Sequence, residues 1–269
     1  MAYFYLLANT SRTQMFGCVI KTEHKTVVID GGTYKDRGQL ADFLRRESGA
    51  HVDAWFFTHP HHDHIGCFVD LRKNEPDITV DRLYYCFPDL QNERYAVCAR
   101  SAFEAELWRD VAEWESRYPT HRVEVGERFC FDDVSVRVLR VFDPTIDQNH
   151  INNSSTVYRI DGAQASILIL GDLGIQGGED VMRRCALADL QTDYTQMAHH
   201  GQNGVNREFY DYIKPKRCIW ASPEWLWNND RGGGFDTDIF HTVRTREWME
   251  ALGVTEHFVE KDGIQKIEI

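Results

Sequence analysis

The sequence predicts an α+β protein in which β-sheets pack face to face and helices cover the outside. Three observations lead there. Short apolar runs of strand character recur along the whole chain. Segments with helical spacing fall between them. Several of the apolar runs stop at Gly-Asp or at histidines, where a strand would hand its last residues to a turn or a site.

The elements follow in order. Ala2 to Leu7, Met15 to Lys21 and Thr26 to Ile29 read as strands, and the last ends in the sharp turn Asp30-Gly31-Gly32. Leu40, Phe43 and Leu44 share a helical face, so a helix is expected from Gly38 to Glu47. Val52 to Phe57 is a short apolar run, the mark of a buried strand, and it leads straight into Thr58-His59-Pro60-His61-His62-Asp63-His64-Ile65-Gly66. After a short helix comes a strand at Val80 to Phe87. A long amphipathic helix is expected over Asn92 to Ser116, with Phe103, Leu107, Val111 and Trp114 on one face. Val134, Val136 and Val138 alternate with Ser135 and Arg137 at the period of a strand. Ser155 to Ile160 and Ala165 to Leu170 read as strands, the second ending in Gly171-Asp172. Beyond it lie helices at Gly178 to Leu190, Val205 to Ile213 and Thr242 to Leu252. Strands Tyr194 to Ala198 and Arg217 to Ser222 fall between them, and two short strands close the chain.

The bulk numbers set limits. The chain has 269 residues, 42% hydrophobic and 12% aromatic, enough for a large core; we read 1–269 as one domain. Its net charge of −12 argues against general nucleic-acid binding, because phosphate backbones are not attracted to an acidic surface. No stretch approaches the ~20 apolar residues that span a bilayer. Met1 to Leu7 lacks a basic leader and reads as a strand. Seven scattered cysteines, with no Cys-x-x-Cys, read as buried free thiols in a reducing cytoplasm. The oligomeric state is not legible.

Chemistry concentrates in one segment. Of the twelve histidines, His59, His61, His62 and His64 fall within six residues, with Asp63 among them. Imidazole and carboxylate are the donors that hold Zn, Mn or Fe. His59 and His61, two apart in an extended loop, can converge on one cation, while Asp63 and His64 turn towards a second. Asp172, at the end of its own strand, is placed to bridge the two. His199 and His200 close a third strand end, and either imidazole can complete the coordination.

The order Asp30, His-x-His-x-Asp-His-x-Gly, Gly-Asp and a terminal histidine resembles the metallo-β-lactamase superfamily over nearly the whole chain. The resemblance implies an αββα sandwich with a binuclear site at one edge, and a two-metal-activated hydroxide as nucleophile. It implies two divalent ions, Zn first and Mn or Fe as alternatives. Asp63 and Asp172 would accept protons, and Asp30 would orient a ligand from behind. The superfamily usually carries a further histidine between the cluster and Gly-Asp. Here the chain reads His150-Ile151-Asn152-Asn153-Ser154-Ser155 instead. That Asn-Asn-x-Ser element is similar to the branch holding the DNA-internalisation competence protein's hydrolase domain and phosphorylcholine esterases. The branch implies a phosphoesterase acting on a small or single-stranded substrate. Thioester, lactone or amide hydrolysis is the alternative, and a non-catalytic metal-binding protein a third reading. For substrate contacts the candidates are Asn153, His241 and the Ser222 to Phe240 segment, where Trp227 offers stacking area and Arg231 a cation. His150 is a further candidate ligand.

Overall fold

The computed structural model describes residues 1–269 and holds two seven-stranded sheets. In spatial order the first runs Gln265–Glu268, Tyr3–Leu6, Gly17–Lys21, Thr26–Asp30, Ala54–Phe56, Leu83–Tyr85, Thr120–Arg122. The second runs His257–Val259, Cys218–Trp220, Tyr194–Gln196, Ser166–Ile169, Val157–Asp161, Val134–Arg140, Arg128–Phe131. A short parallel pair, His51–Val52 with Thr79–Val80, stands apart. Each large sheet mixes antiparallel hairpins with a parallel stretch. Thr26–Asp30, Ala54–Phe56, Leu83–Tyr85 and Thr120–Arg122 are parallel in the first. Ser166–Ile169, Tyr194–Gln196, Cys218–Trp220 and His257–Val259 are parallel in the second.

Strand alternation builds the layers. Val27 and Ile29 point between the sheets and meet Val136, Ile160, Ile167 and Ile219 from the other side. Val28 points the opposite way, with Val19 and Trp55, beneath helices Arg37–Ser48, His62–Asn74 and Ala102–Val111. On the far side Leu168 and Val157 lie under Ile175–Arg184, Arg207–Ile213 and Thr242–Ala251. The result is the expected αββα sandwich. Strands buried on both faces read as continuous apolar runs, and each fully buried aliphatic side chain contributes about 1.5–3 kcal/mol.

The differences from the sequence reading have local causes. The long helix over Asn92 to Ser116 is three: Glu93–Ala96, Ala102–Val111 and Trp114–Arg117. Ser101 is extended and caps the middle one by accepting from the Glu104 amide, while the Arg100 amide is drawn to the buried Glu104 carboxylate. The Val52 to Phe57 run breaks at Asp53, whose carboxylate accepts from the Thr26 amide and pairs with Lys25. Val80 to Phe87 shortens to two small strands, and Gly178 to Leu190 splits at the extended Cys185. Thr120–Arg122 and Arg128–Phe131 went unread because they are edge strands and largely exposed. Cys130 is exposed, against the expectation of buried thiols; Cys18, Cys67, Cys86 and Cys218 are buried.

Four of the parallel strands lead to the same edge of the sandwich. Thr26–Asp30 delivers Asp30, Ala54–Phe56 leads to His59, Ser166–Ile169 to Asp172, and Tyr194–Gln196 to the His199-His200 turn. That edge, beyond the carboxyl ends of the strands, is where open sheets place their ligands.

Candidate metal centre

The His59–His64 segment is held by its backbone. Asp30, fully buried and with φ +58, accepts from the Thr58 amide (2.8 Å) and the Thr58 hydroxyl (2.7 Å). The Thr58 carbonyl accepts from the Thr156 amide, which ties the first half of the chain to the second. His61 is the N-cap of helix His62–Asn74, so Asp63 lies in its first turn, where the helix dipole favours a negative charge. On the other half, Gly171 has φ +56, and a Cβ there would lie 2.7 Å from the Ser155 hydroxyl and 2.9 Å from the Thr58 side chain. Only glycine fits, and the Asp172 amide next to it donates to Ser155 Oγ (3.0 Å).

His199 and His200 both sit in the left-handed region, with φ +51 and +57. Such backbone costs of order 1–3 kcal/mol per residue and persists where the surroundings enforce it. Here the His199 amide donates to the Gly171 carbonyl, and Ser222 Oγ donates to the His200 carbonyl (2.5 Å). The turn brings the fully buried His200 ring to the two carboxylates.

Two groups of donors result, sharing one residue. Asp63, His64, Asp172 and His200 form the first, and His59, His61 and Asp172 the second; within each group one donor atom per residue lies within 4.8 Å of the others. His64 Nε2 is 3.2 Å from Asp172 Oδ1. His200 Nε2 is 3.5 Å from Asp172 Oδ2 and 3.4 Å from Asp63 Oδ2. His59 Nε2 is 3.6 Å from Asp172 Oδ2 and 2.9 Å from His61 Nδ1. The far nitrogens are engaged: His64 Nδ1 donates to Asp30 (2.7 Å), and His200 Nδ1 to the Ala221 carbonyl (2.9 Å). These partners leave each Nε2 a lone pair aimed into the cluster.

The residues fit a pair of cations. Asp63 Oδ1, His64 Nε2, both Asp172 oxygens and His200 Nε2 are buried with no hydrogen-bond partner. Other buried polar atoms of the chain also lack partners, but here five gather in one cluster of imidazoles and carboxylates, and that concentration points to a bound positive charge. The electrostatics agree. Burial drives His59 well below its ordinary value, and burial with the Arg100 charge brings His61 down to about 3, so both are neutral, the ligand form. Burial pushes Asp63 and Asp172 up, but the surrounding imidazoles outweigh it and hold both well below the carboxylate range. Burial pushes His64 down, yet Asp172 and Asp30 lift it to about 10; burial pushes His200 down as well, and Asp172 with Asp63 outweighs it and holds that imidazole above its ordinary value. Positive charge is wanted where metal would sit. Imidazole and carboxylate donors suit Zn, Mn or Fe.

The other sequence candidates lie differently. His199 is outside both groups; its Nε2 is 3.8 Å from Asp172 Oδ2 and 3.4 Å from Asn152 Nδ2, at the rim. Asn153, read as a substrate contact, is spent on structure instead: its Oδ1 accepts from the Gly174 and Gly177 amides, and its Nδ2 donates to the Gln148 carbonyl. Its neighbour Asn152 has the buried, unpartnered Oδ1. The doublet showed in the sequence, but which of the two faced the site did not. His150 turns away to the Ile146 carbonyl and the Tyr95 ring. Trp227 packs on Trp220 beneath the Arg246 guanidinium, and Arg231 pairs with Asp238 over Phe240; both spend their contacts within their own surroundings, not on the ligands. The Ser222 to Phe240 segment is pinned by the buried Asn229, which bonds to Asp236, Asp238 and Phe240. His241 lines a cleft of about 580 Å³ with Asn153, Gln202, Asn203, Arg207 and Arg244. Glu104, fully buried against His62, was missed; nothing in its spacing separates it from any helix-opening glutamate.

Residues 18–80, the segment that holds His59, His61, Asp63 and His64, match the family model described as the metallo-beta-lactamase superfamily. No curated protein matches the sequence. Among solved structures, the metallo-beta-lactamase fold protein YhfI from Bacillus subtilis aligns over 99% of this chain and 100% of its own, with TM-score 0.61 and 11% identity. A diphosphatase from the PhnP family aligns over 100% and 98%, with TM-score 0.52 and 17% identity. Unliganded yeast PDE1 aligns over 96% and 97%, with TM-score 0.52 and 12% identity. At these identities the likeness establishes the metallo-β-lactamase fold.

Proposed function

We propose that this chain is a metal-dependent hydrolase of the metallo-β-lactamase superfamily that cleaves phosphoesters, and that His59, His61, Asp63, His64, Asp172 and His200 hold two divalent ions, zinc by preference. The observation that carries the reading is Asp172, whose two orphaned oxygens join both donor groups. Two cations bound there would lower the pKa of a shared water from about 15.7 towards about 7 and neutralise charge growing on a phosphoryl oxygen.

The chain's own residues do the rest. Asp30 and the Ala221 carbonyl fix the ring orientation of His64 and His200. Asp63 and Asp172 are the anionic members of the set and the groups able to take a proton from an attacking water. His199 and Asn152 stand at the rim, where a substrate oxygen would arrive. Burial keeps bulk water out of the cluster: every member is at most 5% exposed. The phosphoester preference is supported by the diphosphatase among the solved structures of this fold. No helix is long and apolar enough to cross a membrane, and we place the enzyme in the cytoplasm.

The test is elemental analysis on a preparation assayed with bis-p-nitrophenyl phosphate beside thioester and lactone panels. Two metals per chain and phosphodiester turnover abolished by chelator are expected. Turnover confined to thioesters or lactones would overturn the substrate class.

A further inference from the structure

Two aromatic side chains stand exposed on one flank of the metal centre. Tyr34 is 45% and Phe103 41% exposed, and their rings meet edge to face with centroids 5.4 Å apart. His62, its side chain 38% exposed, lies 6.4 Å from Phe103. With Thr13, Thr33 and Lys35 these three line a hollow of about 200 Å³. The position matters as much as the composition. His62 is flanked in the chain by His61 and Asp63, and its Nδ1 lies 4.0 Å from Asp63 Oδ1, so the hollow sits on the side of the donor group that holds Asp63.

The frame behind these rings is rigid. Phe103 sits in the first turn of helix Ala102–Val111, capped by Ser101. The next residue, Glu104, is fully buried; one carboxylate oxygen accepts from the His62 amide (3.3 Å), the other from the Arg100 amide (2.7 Å). One helical turn further on, Trp108 Nε1 donates to the Pro60 carbonyl (2.7 Å). The helix that presents Phe103 is therefore bolted to the ligand loop at two points. Tyr34 opens a single turn closed by a reciprocal capping box between Thr33 and Asp36. Aromatic groups already held in place lose little freedom when a ligand stacks on them.

The sequence reading sought stacking area in the Ser222 to Phe240 segment; the structure offers it here instead. We propose that Tyr34, His62 and Phe103 form a stacking shelf for a planar aromatic group of the substrate, a nucleobase or an aryl ring carried on the phosphoester. The hollow has room for one ring system. Lys35 Nζ, 5.9 Å from the Tyr34 centroid, supplies a cation beside it in a chain of net charge −12. Water-exposed ring faces favour planar partners of any identity. The proposal rests on the phosphoester reading.

Calorimetric titration of the zinc-loaded protein with non-hydrolysable probes tests it. Phenylphosphonate is expected to bind about tenfold more tightly than methylphosphonate, the order that one stacked ring supplies. Phe103→Ala and Tyr34→Ala should each pull that ratio most of the way to one, and Phe103→Trp should restore it. Both sites are solvent-exposed, so thermal melting should show all three variants folded. Competition of adenosine with phenylphosphonate assigns the shelf to nucleobases, and its absence to aryl groups. A ratio near one in the unaltered protein, or a ratio that survives both alanine changes, overturns the shelf. The two readings fail separately. Turnover of bis-p-nitrophenyl phosphate with no ring preference removes the shelf alone. A preserved ring preference with no phosphoester turnover removes the phosphoester reading alone.

Discussion

At the scale of single residues the site rests on carboxylates with different tasks. Asp172 is the residue both donor groups share. Asp172→Ala should therefore lower metal content from about two per chain to one or fewer, with at least a hundredfold loss of turnover, read by elemental analysis and initial rates. Intact metal content and activity would sink the shared-ligand assignment. Asp30 works from behind, through His64 Nδ1 and Thr58. Outer partners of ligating histidines are typically worth 10–100-fold in metal affinity. Asp30→Asn should weaken zinc by that order in a competition with a chromophoric chelator, with the fold kept. The donor cluster was legible in the sequence because imidazoles two apart after a buried strand have few other uses. That His200 and not His199 joins the donor groups, and that Asn152 and not Asn153 keeps an unpartnered oxygen, was not legible. Adjacent residues differ in role only through backbone conformation, here the left-handed pair at His199 and His200.

At the scale of elements, turns do the positioning. Gly201 closes the His199-His200 turn with φ +78, and a Cβ there would come within 2.4 Å of the Trp220 ring. Gly201→Ala combines a left-handed penalty with overpacking of a fully buried indole, together about 2–4 kcal/mol. The effect should appear in thermal melts of chelator-treated protein, so that lost metal is not mistaken for lost packing. An unchanged melt would mean the turn relaxes freely. The strand before this turn is anchored by Asp193. Burial pushes that carboxyl up, but Lys216, the Ser166 hydroxyl and the Ser166 amide outweigh it and bring it down to about 2. Its folded value lies below its unfolded one. The stability it lends is thus present above about pH 4 and is lost as pH falls through about 2. Asp193→Asn should melt below the parent at pH 7, with the gap closing towards pH 2.5; a gap constant across that range would refute the assignment. Buried strands and their order were legible from apolar runs and alternation. The broken helix at Cys98 to Ser101 was not, because a buried glutamate captured the Arg100 amide over the helical register, and propensity does not see such a contact.

At the scale of the whole molecule, the αββα arrangement is two halves meeting at a site that neither completes alone. Asp63 and His64 come from the first sheet's half, Asp172 and His200 from the second. Alternation along the strands made the sandwich legible, whereas the meeting of two distant turns within 4.8 Å depends on closure of both sheets, which no local pattern encodes. The closure has an energetic consequence. Cations that bind only when both halves are in place stabilise the folded chain by mass action, about 2.7 kcal/mol at a hundred times the dissociation constant. For a chain of this length that corresponds to a rise of about 5–10 °C in melting temperature. Removal of metal also leaves five buried polar atoms without partners, a cost the unfolded chain does not carry. Calorimetric melts of the chelator-treated protein, titrated with zinc, should show one cooperative transition that moves up as zinc is added. In Asp172→Ala the same titration should move it far less. If the apo and zinc-loaded proteins melt at the same temperature, the two halves are held together by the inter-sheet core alone, and the orphaned atoms of the cluster need another partner than a cation.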